Sequence, residues 1–168
     1  DVARAETKRA GQVKVFVASI FEQAVPRQGI GGAPNAVELL TSATERIERE
    51  LSTQPRVAAE LGIIIGKGFS ALGEPLKGLA ALQAAVPRAE AEFGRRHPLT
   101  LQGKLLLAES VEIQDVTAAE RLLAQTMPDL LAGLPANAAE AVTALRRHSF
   151  LLAKRNDEER AYAALEQA

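Results

Sequence analysis

Apolar positions recur along this chain with the period of amphipathic helices. Val13, Phe16, Val17, Ile20, Phe21 and Ala24 fall at i, i+3, i+4, i+7, i+8 and i+11, a single apolar stripe. Start and stop signals then divide the chain into about eight helical pieces. Asn35 with Glu38, Thr117 with Glu120, Asn137 with Glu140 and Asn156 with Glu159 have capping-box spacing, in which side chains satisfy the first free N–H groups. Pro55, Pro75 and Pro98 suit first turns, where a missing N–H costs nothing. Gly73 and Gly94 follow apolar-periodic segments and predict helix ends.

The even-numbered helices carry a repeat. Small residues stand at Ala36, Gly78, Ala119 and Ala161, spaced by 42, 41 and 42 positions. Leu40, Leu82, Leu123 and Leu165 follow each by four residues, and Ala43, Ala85, Thr126 and Ala168 by seven. A small–Leu–small row on one helical face permits close stacking of neighbouring helices and predicts burial of the four leucines. In the preceding helices, Ile65, Gly66 and Phe69 are matched by Leu107, Ala108 and Val111. This order resembles the tetratricopeptide (TPR) pattern, at a longer spacing that is similar to kinesin light chains and their "HPxTL" linker; here "HPLTL" spans His97–Leu101. The resemblance implies an all-α fold, a TPR-like right-handed α-solenoid of about four helical hairpins, forming one domain over residues 1–168.

Composition narrows the function. Hydrophobic residues make up 47% of the 168 and aromatics only 4%, which favours packed helices over sheet. With 20 basic and 21 acidic residues there is no positive field for nucleic acid. No cysteine is present, so disulfides and thiolate metal sites are excluded. No apolar run approaches the roughly 18 residues that span a bilayer, so direct membrane insertion by this segment is not expected.

The stretch "GIIIGKG", Gly62–Gly68, raises the question of a phosphate-binding loop. Three residues, not four, separate Gly62 from Gly66, and Gly68 stands where a Ser or Thr would bind magnesium. The preceding "QPRVAAEL" reads as helix rather than strand. Lys67 is therefore expected to be a solvated helix residue, and each glycine's helix cost of about 1 kcal/mol is expected to be offset by a closely packed neighbour. "GIGG", Gly29–Gly32, reads as the connection between the first two helices. His97, His148, Ser110 and Ser149 have no metal-ligand or nucleophile–base partner at readable spacing. No catalytic residue, metal or cofactor is expected.

Function in such a fold comes from the surface that successive first helices line. The candidate groove comprises Glu60, Ile63, Lys67 and Ser70, then Gln102, Leu105, Glu109 and Glu112, then Thr143 and Arg146. Ile63 and Leu105 are expected to be exposed apolar groups that mark a protein or peptide interface.

The first half carries a narrower likeness. "VKVFVASIFEQAVP", followed by "AVELLTSATERIERELSTQPRVAAELGIIIGKGFSALG", resembles the C-terminal TPR region of bacterial Hanks-type receptor-like Ser/Thr protein kinases over Val13–Leu101, and more weakly to Ala168. Gly62, Gly68, Gly78 and Pro128 depart from the usual helices of that family. No kinase motif is present, so no catalytic residue carries over. The resemblance implies a non-catalytic sensor or interaction domain, extracytoplasmic in an inner-membrane (periplasm-facing) kinase, that biases the attached kinase when a ligand binds. The alternative is a cytoplasmic TPR module of a transcriptional regulator. The last helix, "DEERAYAALEQA", carries an inner stripe of Ala161, Ala164, Leu165 and Ala168 with Tyr162 beside it. An array end needs a polar cap, so either the chain continues or a second copy covers this end, and self-association into a homodimer is the expectation.

Overall fold

The computed structural model describes residues 2–22, 35–154 and 165–166. These form seven α-helices: α1 (Val2–Glu22), α2 (Ala36–Glu50), α3 (Pro55–Ala71), α4 (Pro75–Phe93), α5 (Pro98–Glu112), α6 (Val116–Leu131) and α7 (Ala138–Lys154). The fold is all-α. "GIGG" and most of the last predicted helix lie outside the described residues.

Local chemistry explains most of the helix ends. Asn35 caps α2 with the full reciprocal box: its side chain accepts from Glu38 N–H at 3.0 Å, and its own N–H donates to Glu38 Oε2 at 3.1 Å. Pro55, Pro75 and Pro98 each occupy the first residue of α3, α4 and α5. Gly73 and Gly94 stand after α3 and α4 with φ of +72° and +90°, conformations open mainly to glycine. Two caps differ from expectation: at α7 the Asn137 N–H donates to Gly133 O at 3.2 Å and not to Glu140, so the reciprocal box is not formed there. Asp115, not Thr117, caps α6 by accepting from Ala118 N–H at 2.9 Å, and Glu120 lies 3.0 Å from His148 on α7 instead. A carboxylate two residues earlier wins because it meets the free N–H groups at the true start of the helix. Pro128 does not end α6, which continues to Leu131.

Each helix packs on the next in sequence, and α3 also packs on α1 and on α5. The core falls into three groups. Phe16, Ile20, Ile47, Leu61, Ile65 and Phe69 join α1, α2 and α3. Ala59, Ile63, Ala85 and Ala89 join α3 to α4. Leu101, Leu123, Leu130, Leu145 and Leu151 join α5, α6 and α7. Burial of one such leucine or isoleucine stabilises the fold by about 1.5–3 kcal/mol.

The predicted leucine row holds in the middle of the chain and fails at its end. Leu82 and Leu123 are fully buried, with Gly78, Ala85, Ala119 and Thr126 buried beside them. Leu40 is partly buried and packs against the first core group. Leu165 is 49% exposed, contrary to expectation. A leucine is buried only where another helix covers it, and none of the described helices does so there.

The glycines of α3 sit inside a continuous helix, so "GIIIGKG" forms no loop. A Cβ on Gly62 would come within 2.6 Å of Ala85 Cβ, and one on Gly66 within 2.5 Å of Leu82 Cγ. Both glycines therefore let α4 lie against α3 closer than any side chain allows.

Candidate functional site

The odd-numbered helices meet in two different ways. At the α3–α5 contact, Gly103 presses on Ile63 and Val86; an added Cβ would stand 2.9 Å from Ile63 Cδ1. Ile63 is thereby sealed at 1% exposure. This corrects the expectation of an exposed apolar groove residue there: the next helix covers it. At the α5–α7 contact, α7 turns Thr143, Ala144 and Arg147 toward α5, and the helices stay apart. Between them lies a cleft of about 650 Å³. Its floor is Leu105, Leu106, Leu123 and Ala144; its rim is His97, Gln102, Glu109, Glu140, Thr143 and Arg147.

The candidate residues divide accordingly. Gln102, Leu105, Glu109 and Thr143 line the cleft. Glu112 and Arg146 line an adjoining depression of about 370 Å³ that also includes Thr143, Arg147 and Phe150. Ser70 reaches the same region from α3, donating to Glu109 Oε1 at 3.0 Å. Glu60 does not belong to it, since it faces Arg9 of α1 at 3.2 Å. Lys67 is exposed on α3 and lines neither space. His97, Leu106, Leu123, Glu140, Ala144 and Arg147 were not foreseen. Glu140 and Arg147 continue the helical row through Thr143 by three and four residues, a signal present in the sequence. The contribution of Leu123 was not legible, because an even-numbered helix reaches the cleft only through its floor.

Charge is arranged along the cleft. Arg147 spans from α7 to α5, its guanidinium 2.8 Å from Glu112 and 3.7 Å from Glu109. At the other end His97 caps α5, its Nδ1 accepting from Leu99 N–H at 3.2 Å, and its ring stacks on Phe93 at 4.8 Å. Burial, and after it the nearby Arg9 guanidinium, holds the imidazole below its usual range. A neutral Nδ1 is what the cap requires. Glu140 lies in the first turn of α7 and has no ion pair or side-chain hydrogen bond among the described residues.

Among the described residues, no three His, Asp or Glu side chains gather as metal ligands. The carboxylate of buried Asp129 is taken up by Arg95 at 2.7 Å and Arg96 at 3.3 Å, which fastens the α4–α5 turn to α6. No described helix is long and apolar enough to cross a membrane. No protein-family model, curated protein or solved structure matches this chain.

Proposed function

We propose that this chain is a non-catalytic interaction module of TPR-like solenoid form, holding a partner in the cleft between α5 and α7. The observation that carries the reading is the cleft itself: an opening of about 650 Å³ over half-buried leucines, rimmed by a few polar groups. That size and lining fall within the range of ligand sites, roughly 300–1,000 Å³, mostly apolar with a few placed polar groups. Its charged groups support binding rather than turnover. Arg147 is committed to two carboxylates and His97 to a helix cap, so neither is set up to move a proton.

The wider setting, an extracytoplasmic sensor segment of a Ser/Thr protein kinase, rests on the resemblance over Val13–Leu101. The residues upstream of Asp1 test it. An apolar run of about 20 residues behind a kinase domain is expected; a DNA-binding or AAA-type segment in that place overturns it.

The cleft is tested with Nile red, an uncharged dye that brightens in apolar surroundings. The folded chain should raise its emission. Thr143→Trp, at an exposed position on the rim, should fill the cleft and remove that rise while leaving the helical circular dichroism unchanged. A signal absent from the native chain, or unaltered in Thr143→Trp, overturns the reading.

A further inference from the structure

The charges around the α5–α7 cleft specify its occupant further, granted that the cleft is a docking site. We infer that it takes a peptide segment presenting one large aliphatic or aromatic side chain to the leucine floor and a lysine or arginine to Glu140.

Three observations support a peptide of this charge. The first is the imbalance of the lining. Glu109 and Glu140 face the cleft against the single guanidinium of Arg147, which Glu112 also claims from beside it. Of the charged side chains lining this cleft, Glu140 is the one left without a partner among the described residues. It stands in the first turn of α7, where the helix dipole favours a negative side chain. A cation placed there would meet Glu140 with no lining cation beside it, because Gln102 is uncharged and His97 acts as a neutral acceptor.

The second observation is direction. The starts of α5 and α7 share one end of the cleft, where His97, Gln102 and Glu140 stand. Glu112, Arg146 and Arg147 gather toward the other end. The acidic end and the apolar floor are thus adjacent, as a basic residue next to an apolar anchor requires. Exposed Arg146, at the far end, would repel a second cation and so favours one direction of the peptide.

The third is shape. The cleft and the depression lined by Arg146 and Phe150 lie on either side of Arg147, which lines both together with Thr143. A peptide laid along α5 over both spaces would span about 20 Å, roughly six extended residues, more than a compact small molecule covers.

Selection from a displayed library of random peptides, each about 12 residues and so twice that span, tests the inference on the purified chain. Enriched peptides should pair Leu, Ile or Phe with a nearby Lys or Arg. For an enriched peptide, fluorescence polarisation should show binding weakened about threefold by Glu140→Gln, as for an exposed ion pair. That difference should vanish at about 1 M salt. Thr143→Trp should weaken binding more than about tenfold, the loss of an anchor contact of over 1.4 kcal/mol.

Enrichment of acidic or uncharged peptides, or indifference to Glu140→Gln, overturns the assigned occupant while the cleft stands. The assigned occupant falls likewise if Nile red responds to Thr143→Trp but no peptide does. If neither probe responds to that substitution, the docking reading itself falls.

Discussion

Ile63 on α3 and Leu105 on α5 hold the same place in the repeat, yet one is sealed and the other lines an open cleft. The difference lies in what arrives from the next odd-numbered helix. Over Ile63 comes Gly103, whose missing side chain lets α5 settle on α3 and Val86. Across the cleft from Leu105 stand Thr143, Ala144 and Arg147, and the space between α5 and α7 stays open. A helix face is thus neither core nor groove by its own composition. The contact residue on its neighbour decides, because interaxial distance follows the side chains at the crossing.

The largest effect should come from the two equivalent leucines. Leu82→Ala is expected to cost about 2–5 kcal/mol in chemical denaturation, since Gly66 and the other neighbours of the fully buried side chain wall the void off from water. Leu123→Ala should fall near the lower bound of about 2 kcal/mol, because water entering from the cleft relieves the cavity. A larger loss at Leu123 would erase the distinction between the closed and open halves.

Next in size is the glycine contact. Gly62→Ala gains about 1 kcal/mol of helix propensity but forces a methyl against Ala85, an overpacking cost of about 1–3 kcal/mol. A net loss is expected, and Ala85→Gly in the same chain should recover part of it. Gly11→Ala, with nothing within 4 Å, should instead stabilise α1. Equal effects at the two glycines would show that packing at α3–α4 is not what glycine serves.

Smaller still is the clasp across the cleft. Arg147→Met keeps the stem and removes the charge from Glu109 and Glu112; a half-exposed network of this kind contributes roughly 0.2–1 kcal/mol. The loss should shrink as salt is raised. A salt-independent loss would assign the contribution of Arg147 to packing instead.

The smallest effect is a dependence on pH at the rim. The imidazole of His97 titrates lower in the folded chain than in the unfolded one, owing first to burial and then to Arg9. The unfolded chain therefore binds the proton more readily, and the stabilisation is present above the unfolded value of about 6.5 and lost as pH falls below it. His97→Asn keeps a capping acceptor and should flatten stability between about pH 5 and 7. An unchanged slope would locate the pH response elsewhere.

How much of this was legible in the sequence varies with the range of the cause. The box at Asn35 and Glu38, the first-turn prolines and the glycine stops act within one helical turn, so the helix ends followed from the residues. Asp115 shows the limit even there: two polar residues competed for one cap, and the position of the first turn chose between them. The glycines of α3 announced a close neighbour through their helix cost, without naming Ala85 or Leu82 as that neighbour. Four groove residues, Gln102, Leu105, Glu109 and Thr143, were placed on the cleft by register alone, whereas Leu123 entered it from a helix of the other set.

What the sequence determined by itself was an all-helical chain with its ends set by caps, prolines and glycines, since these depend on hydrogen bonds between residues a few positions apart. The tertiary structure alone decided that Ile63 is core, that Leu165 is exposed, and that the surface opens between α5 and α7. The burial of Ile63 and the opening between α5 and α7 depend on the separation of helices some 40 residues apart in the chain. That distance is set where side chains from both helices meet, and no periodicity within either helix records it.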